Sequence, residues 1–328
     1  MKIAILGAGN IARSMCRTIR GMKAAGRPVE LYAVASRDID KAVSFAREQG
    51  VTRAYGSYEQ MLTDPAVELV YVATPHSHHA EHMKLCIEYH KPILCEKSFT
   101  ANAEQAREVL NLARERGVYV AEAIWTRYMP ARRIIDDLIA GGAIGEPKLL
   151  TANLAYGVEH KERIADPVLA GGALLDVGVY PINFASMVFG NDIAEMVSTV
   201  TKLPTGVDRT ENITIRYADG REAHVMASVA FNSDRRCVVY GDKGYLTVDN
   251  VNNPGFIEVF DKNDRLHPVQ HIDVPEQITG YEYEVEACLR DIPAGALEPA
   301  EMPHSETIEI MRQMDALRVQ WNMKYPFE

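Results

Sequence analysis

Residues 2–12 read KIAILGAGNIA, and this stretch decides the fold that we expect for the first part of the chain. Residues 3–6 are an apolar run without polar alternation, which predicts a strand buried on both faces. Gly7 and Gly9 interrupt the run, and apolar residues at helical spacing follow from Ile11 onward. A strand, a glycine turn and a helix N-terminus in succession favour an anion, because the glycines admit close approach of the backbone and the helix dipole attracts negative charge. The stretch therefore predicts a dinucleotide-binding turn, with a tight turn of another α/β protein or an adenosylmethionine site as alternatives.

Length and composition limit the remaining choices. A chain of 328 residues, 47% hydrophobic and 24% charged, is typical of a globular protein with two domains. A net charge of -10 argues against nucleic acid or an anionic membrane as a partner. The five cysteines show no C-x-x-C spacing, which favours reduced thiols and excludes a zinc site of that kind, and we expect no metal. We expect no apolar stretch that approaches the ~18 residues needed to span a bilayer, and hence a cytoplasmic protein.

Strands and helices alternate through residues 1–122, which predicts a Rossmann domain with a doubly wound parallel sheet, hence an α/β protein. The unusual polar residues and the glycines follow the carboxyl ends of the predicted strands, which is the edge where such sheets bind ligands. These residues are Gly7, Gly9, Ser36, Arg37, Thr74, His76, Glu96, Lys97 and Glu122.

The pattern changes after residue 122. Strand-like runs joined by short turns occupy much of residues 196–260, which indicates a large, mainly antiparallel sheet. We therefore expect residues 123–328 to form an α+β domain for substrate binding and oligomerisation. A large sheet with a free face is a natural surface for a homodimer or a higher homo-oligomer.

The end of the second strand bears on cofactor choice. An acidic residue there binds a ribose 2′-hydroxyl, whereas an arginine accommodates a 2′-phosphate. Ser36 and Arg37 stand at this point, with Lys41 one helical turn later, which favours NADP over NAD. The alternative is that Arg37 is an ordinary solvated residue at a helix start.

Three further residues are candidates for chemistry. Lys97 follows a buried strand at the ligand-binding edge, although a surface lysine paired with Glu96 is the alternative. Asp176 and Tyr180 are four residues apart and share one face of a predicted helix. Taken alone, each of these two is more typical of a structural residue than of a catalytic one.

Several motifs, in this order, resemble the glucose–fructose oxidoreductase/inositol dehydrogenase family of nicotinamide-dependent sugar and polyol oxidoreductases. They are GAGNIA (7–12), ATPHSHH (73–79), CEKS (95–98), IGEP (144–147), GGALLDVGVYP (171–181) and GDKGYL (241–246). The segment EAIWTRYMP (122–130), together with Tyr180, looks most like the branch of dimeric dihydrodiol dehydrogenases and NADP-dependent D-xylose dehydrogenases. Two departures are visible, since Ser98 replaces the proline of the usual E-K-P and Tyr180 replaces a frequent histidine.

The resemblance implies roles for individual residues. Lys97 and Tyr180 would act at the reacting carbon, with Asp176 orienting the substrate. Trp125, Arg127 and Tyr156 would give the substrate pocket its aromatic and polar walls. The implied cofactor-binding residues are Gly7, Gly9, Asn10, Ile11, Ala12, Ser36, Arg37, Lys41, Thr74, Pro75, His76, His79, Glu96 and Lys97.

The function that we expect is an NADP-dependent oxidoreductase that moves a hydride between nicotinamide and the CH–OH group of a sugar, polyol or trans-diol. Tyr180 would exchange the proton while Lys97 stabilises its phenolate, and the rival assignment makes Lys97 the acid/base. An NAD-dependent inositol or glucoside dehydrogenase of the same fold is the alternative among enzymes. A non-catalytic, cofactor-binding regulator is the alternative from another class.

Overall fold

A computed structural model of the chain describes residues 1–264 and 266–328. It contains two compact units, one made of residues 1–128 with 277–311 and the other of 129–276 with 312–328. This partition differs from a single boundary after residue 122, because residues 277–311 return to the first unit.

The first unit is built on a six-stranded parallel sheet, as the alternating pattern predicted. The order β3-β2-β1-β4-β5-β6 reverses direction between β1 and β4, which places the ligand-binding crevice of such sheets beside the glycine turn. The strands are β1 (Lys2–Leu6), β2 (Glu30–Ala35), β3 (Arg53–Tyr55), β4 (Leu69–Val72), β5 (Ile93–Glu96) and β6 (Val120–Ala123).

Helices of the first unit begin at side-chain caps that the sequence displays. Asp38, Ser57 and Asn102 each accept a hydrogen bond from a backbone N–H in the first turn that follows. The helices are α1 (Asn10–Ala24), α2 (Ile39–Gln49), α3 (Tyr58–Leu62), α4 (His79–Glu88), α5 (Ala103–Arg116) and α9 (Glu282–Asp291). The short β3 and α3 were not predicted.

The second unit contains an eight-stranded sheet in the order β14-β13-β12-β11-β7-β10-β9-β8. All neighbours are antiparallel except β7 and β10, so the prediction of a mainly antiparallel sheet is confirmed. The strands are β7 (Pro147–Ala155), β8 (Ile193–Lys202), β9 (Asp208–Tyr217), β10 (Glu222–Ser228), β11 (Cys237–Gly241), β12 (Gly244–Val248), β13 (Phe256–Asp261) and β14 (Gln270–Asp273). The helices are α6 (Pro130–Ala140), α7 (Glu162–Ala165) and α8 (Val179–Phe189), and α10 (His304–Gln320) contains the junction at residue 311.

A π-helical turn, Leu174–Gly178, directly precedes α8. The helical stretch Pro167–Phe189 that contains it passes a length-and-composition test for crossing a membrane, with a mean hydropathy of 1.4. Our expectation that no stretch is of this kind was therefore wrong. Because 89% of the most apolar 18-residue segment of this stretch is buried, the stretch packs as a core helix of its unit. The five cysteines are also buried, and none is in a disulfide.

Candidate active site

The glycine turn after β1 is shaped for close approach of a ligand. Gly7 has φ of +105°, and a Cβ there would lie 3.0 Å from the carbonyl oxygen of Ala73. Gly9 caps α1 without any side-chain capping bond, and the first turn of α1 contains no acidic residue. The leading N–H groups of α1 therefore meet no competing carboxylate, which suits a phosphate.

The end of β2 is followed by two cations, and the carboxylate nearest to the strand caps a helix. Ser36 is buried, whereas Arg37 and Lys41 are exposed. Asp38 uses its Oδ1 atom to accept the backbone N–H groups of Asp40 at 2.9 Å and Lys41 at 3.2 Å. The nearest acid is thus engaged as a helix cap, while the arginine side chain extends into solvent.

His82 lies next to this region. Its Nδ1 is 2.9 Å from Thr74 Oγ1, and its ring packs edge-on to Tyr58 with ring centroids 4.8 Å apart. Burial, helped by neighbouring positive groups including Arg37, lowers the pKa of His82 to about 4. His82 is consequently neutral at physiological pH and forms a partly aromatic wall beside Arg37 together with Tyr58.

His79 connects the ends of two neighbouring strands. Its Nε2 is 2.8 Å from the carbonyl oxygen of Thr74, and its Nδ1 is 2.9 Å from that of Ser98. The ring is fully buried, and burial is the main reason that its pKa is lowered. The Lys97–Ser98 peptide is cis. His79 therefore fixes the backbone on which Thr74 and Lys97 stand, and its direct contact with the cofactor remains a prediction.

A group of buried carboxyl groups lies beside Lys97. Tyr71 donates its hydroxyl hydrogen to Glu96, which is only 5% exposed. Burial raises the pKa of Glu122 to about 7. Burial, followed by the charge of Glu96, raises the pKa of Glu284 well above its usual range, and neither of its oxygens has a donor within the described residues. Burial therefore favours the neutral, protonated form of Glu284.

The predicted pocket residues of the first unit also have defined partners. Trp125 stacks on Tyr281 with ring centroids 4.2 Å apart and an interplanar angle of 9°. The Nη2 atom of Arg127 lies 3.2 Å from Glu306 Oε2. These contacts hold both side chains, and their roles toward a substrate remain predictions.

Asp176 lies on the π turn of the second unit and pairs with Arg163. The Nη1 atom of Arg163 is 2.6 Å from Oδ1, and Nη2 is 3.4 Å from Oδ2. Tyr180 follows in the first turn of α8 and is 7% exposed. Since Lys97 belongs to the other unit, its pairing with Tyr180 remains a prediction.

Tyr156 follows β7 in the second unit. Its hydroxyl group is 3.3 Å from Asn252 Oδ1 and 3.4 Å from Arg235 Nη1. Arg235 also lies over the Tyr156 ring at 5.8 Å. These contacts hold the side chain, and its role toward a substrate remains a prediction.

Both parts of the chain match known proteins. Residues 1–123 match the model of the GFO/IDH/MocA oxidoreductase family with an NAD-binding Rossmann fold, and residues 133–247 match the GFO/IDH/MocA C-terminal domain. A trans-1,2-dihydrobenzene-1,2-diol dehydrogenase from Mus musculus is 34% identical over 252 residues, which covers 76% of this chain and 75% of the relative. Its counterpart from Danio rerio is 31% identical over 333 residues and covers 99% and 98%.

The chain belongs to the GFO/IDH/MocA family of oxidoreductases. The resemblance stated from the motifs is thereby confirmed, and the protein is an NAD(P)-dependent oxidoreductase. Among solved structures, a 3-ketoreductase from Actinomadura kijaniata in complex with NADP and TDP-benzene is 25% identical, with a TM-score of 0.86 over 97% of each chain. An aldose–aldose oxidoreductase from Caulobacter crescentus, 20% identical with a TM-score of 0.86 over 98% of this chain and 97% of that one, shares the fold.

Sequence reasoning missed several residues that surround the candidate site of this oxidoreductase. Arg163 lies in α7, whose four residues are too few to show a periodicity, so nothing in the sequence linked it to Asp176. Tyr71 lies in an apolar strand, so no pattern in the sequence indicated its hydrogen bond to Glu96. Glu284 did carry a signal, because it stands at helical spacing from the buried Cys288 and Asp291. An acid on an otherwise buried helix face indicates a polar cluster in the core.

Proposed function

We propose that this oxidoreductase uses NADP to oxidise or reduce a carbon in a vicinal diol, either a cyclic trans-diol or a sugar or polyol. The NADP assignment rests on the hydrogen bonds of Asp38, the first acidic residue after β2. Asp38 is engaged by two backbone N–H groups, so the ribose end of the cofactor would meet Arg37 and Lys41 instead of a carboxylate. A guanidinium group in that position matches a 2′-phosphate.

The substrate class rests on the relatives. The curated proteins at 31% and 34% identity are named trans-1,2-dihydrobenzene-1,2-diol dehydrogenases, and the solved neighbour at 25% identity is a ketoreductase crystallised with NADP. Trans-dihydrodiols and sugars share neighbouring hydroxyl groups on a ring. A pocket with Trp125 and Tyr156 would offer a flat apolar wall and a hydroxyl group to such a ring.

The reaction needs a proton to move together with the hydride. The nicotinamide, when bound, accepts or supplies the hydride. Tyr180 exchanges the proton with the substrate oxygen, and the charge of Lys97 favours the phenolate form, because a free tyrosine titrates only near ~10. Asp176, held by Arg163, orients the second hydroxyl group.

The glycine turn before α1 supports the cofactor half of this proposal. The Cβ-free space at Gly7 and the uncapped start of α1 fit a diphosphate, and Ala12 is fully buried, which permits close packing of α1 on the sheet.

The experiment is a substrate panel. We expect turnover of trans-1,2-dihydrobenzene-1,2-diol, of D-xylose or of a related aldose with NADP, measured by absorbance of the reduced cofactor. A higher kcat/KM with NAD than with NADP would refute the cofactor assignment. No turnover of any diol, aldose or polyol, with both cofactors bound, would favour the regulator.

We further propose that the open face of the eight-stranded sheet pairs with a second copy of the chain. Tyr240, Tyr245 and Phe260 form an aromatic ladder on that face, with the Tyr245 and Phe260 rings stacked at 4.6 Å. Tyr240 is 38% exposed, so its ring offers aromatic surface to a second copy. Light scattering at micromolar concentration should give at least the dimer mass, and Tyr240→Glu should shift it toward the monomer. A wild-type monomer would refute the pairing.

A further inference from the structure

A β-bulge shapes the start of β9. Thr201 of β8 pairs with Thr210, but Lys202 pairs with Asp208, so Arg209 is an extra residue. In a regular strand, positions 208 and 211 would face opposite sides of the sheet. The bulge turns both Asp208 and Glu211 toward the core, where each is 0% exposed, whereas Arg209 turns outward and pairs with Glu159 at 2.6 Å.

The two inward carboxyl groups lie directly against the π turn that precedes α8. Asp208 accepts the backbone N–H of Leu174 through Oδ2 and also bonds the backbone of Ala173. A side chain at Gly172 would collide with Asp208, and one at Gly178 would collide with Glu211. Glycine is therefore required on both sides of the turn, because a Cβ at either position would overlap one of the two carboxyl groups.

The two carboxyl groups have more oxygen atoms than there are hydrogen-bond donors to them. Within the described residues, Asp208 Oδ1 and both oxygens of Glu211 have no donor, while the two carboxyl groups face each other. The charged and titratable groups nearest to them are committed elsewhere. Tyr325 donates to the carbonyl oxygen of Gly171, and Arg318 pairs with Glu328.

Electrostatics point the same way. Burial raises the pKa of Asp208 to about 6, although its backbone hydrogen bonds oppose the rise. Burial, together with the charge of Asp208, raises the pKa of Glu211 well above its usual range. Two adjacent carboxylates cannot both ionise at low cost in such a site. One proton is thus expected to stay on the pair at neutral pH.

We propose that Asp208 and Glu211 share one proton and together hold the π turn, so that they position Asp176 and Tyr180 for the reaction. Protonated Glu211 donates to Asp208, and ionised Asp208 accepts the N–H groups at the start of the turn. Asp208 and Glu211 are positioning residues, because they act through the turn. The catalytic part of this proposal rests on the proposed function, whereas the shared proton does not.

The first test measures unfolding against pH for the wild type and for Glu211→Gln. Because the folded pKa of Glu211 is raised, the stability that its proton confers is complete below the usual glutamate pKa of ~4.3 and is lost as pH rises through the folded value. The wild-type unfolding constant should therefore rise up to about tenfold per pH unit relative to Glu211→Gln. Glutamine keeps a donor toward Asp208 and carries no titratable proton. The matched control is Glu195→Gln on β8. The Glu195 side chain is 54% exposed, so this substitution should leave the pH dependence of unfolding as in the wild type.

The second test observes the proton directly by infrared spectroscopy of the full chain. Glu122 and Glu284 also have raised pKa values and contribute carbonyl absorption of protonated acids, so the wild type and Glu211→Gln are compared by a difference spectrum at neutral pH. This difference spectrum should contain one carbonyl band of a protonated carboxylic acid, which belongs to the wild type and is lost in Glu211→Gln. If Glu211→Gln leaves both this band and the pH slope of unfolding unchanged, the shared proton is refuted. An altered slope without loss of the band would refute it as well, because the proton would then reside elsewhere.

The third test separates positioning from stability. Asp208→Ala removes the acceptor for Leu174 and should lower kcat by about 10–100-fold without changing the affinity for NADP, since a misplacement of about 1 Å has that effect. Asp208→Asn keeps a carbonyl acceptor and should recover most of kcat. If Asp208→Ala does not fold, Asp208→Ser, which also removes the carboxylate that accepts the Leu174 N–H, takes its place. Wild-type kcat in whichever of these two variants folds would overturn the positioning role, whereas absence of turnover in the wild type would overturn the proposed function and leave the first two tests intact.

Discussion

In the first unit the candidate residues stand at the ends of parallel strands, whereas in the second unit Asp176 and Tyr180 stand on a π turn and the helix after it. Lys97 follows β5 directly, so the hydrogen bonds of the sheet fix its backbone. The turn that contains Asp176 is instead bonded by the buried Asp208, and the carboxylate of Asp176 is held by Arg163 of α7.

The difference concerns what a mutation can disturb. A site placed by a parallel sheet is supported by many backbone hydrogen bonds, to which a side chain such as His79 adds. A site placed by side chains depends on a few buried polar contacts, each of which costs free energy when left unpaired. We therefore expect the second unit to respond more strongly to isosteric substitutions than the first.

The largest effect should come from the reacting group itself. Tyr180→Phe keeps the ring and deletes only the hydroxyl group, so the rate of the chemical step should fall by about 10²–10⁴-fold, the usual contribution of general acid–base catalysis. Lys97→Met should cost at least as much, because it removes the charge that favours the phenolate. Single-turnover rates against pH measure both effects.

The control for this substitution is Tyr240→Phe on the open sheet face, which should keep the wild-type rate. If Tyr180→Phe retains most of its rate and the basic limb of its pH profile does not move, Lys97 is the proton carrier. That outcome would place the acid/base group in the unit whose geometry the sheet fixes.

The next effect concerns the buried acids of the first unit. The pKa of Glu122 is raised from 4.5 to about 7 by burial. Its contribution to stability is therefore present below about pH 4.5 and is lost as pH rises through 7. Glu122→Gln should remove this loss, so that between pH 4 and pH 8 the variant should lose about 3 kcal/mol less free energy of unfolding than the wild type.

Denaturant unfolding at several pH values measures this difference, with the exposed Glu115→Gln as the control. The comparison with Glu211→Gln is direct. The pH window of Glu122 should close near pH 7, whereas that of Glu211 should extend to higher pH because a second carboxylate faces it. If Glu122 and Glu211 lost their contributions to stability over the same pH range, the distinction between a single buried acid and a proton-sharing pair would be contradicted.

A smaller effect is expected at the cofactor end. Arg37→Asp should weaken NADP binding by about 1.5–3 kcal/mol, the value of a charge-assisted hydrogen bond, and should leave NAD binding unchanged or better. Fluorescence titration with both cofactors measures it. Arg47→Asp, an exposed charge reversal later in α2, is the matched control. Equal losses for NADP and NAD would refute the 2′-phosphate contact.

These expectations also show where sequence reasoning was sufficient. The parallel sheet, the glycine turn and the cap at Asp38 followed from local patterns, because apolar runs and caps act within a few residues. The positions of Arg37 and Lys97 then followed from the rule that strand ends meet at one edge. The placement of these residues after the strand ends was therefore predictable, whereas their contacts with a cofactor remain predictions.

The second unit was less predictable for a physical reason. The strand at β9 was expected to begin at Glu211, and the bulge at Arg209 has no local signature, since it depends on the register with β8. The helix expected over residues 174–189 begins as a π turn, because buried acids from a distant strand contact it. Interactions between residues this far apart leave no periodicity.

The smallest effect tests the loop contact of Asp176. The Arg163 side chain is 50% exposed, so its ion pair with Asp176 should be worth at most about 1 kcal/mol. Arg163→Met should therefore raise the substrate KM by a few fold, because Asp176 loses the fork that fixes its carboxylate, while kcat and the pH profile should stay unchanged. Arg163→Lys keeps the charge but not the two-pronged geometry, so it should recover only part of the KM.

The matched control is Arg209→Met, because Arg209 makes a similar two-pronged pair with Glu159 in the same unit, with distances of 2.6 and 3.3 Å. It should leave the substrate KM unchanged. A loss of more than about 100-fold in kcat/KM for Arg163→Met would exceed what an exposed ion pair can supply. Arg163 would then have to contact the substrate itself, and the loop containing α7 would belong to the binding site of the second unit.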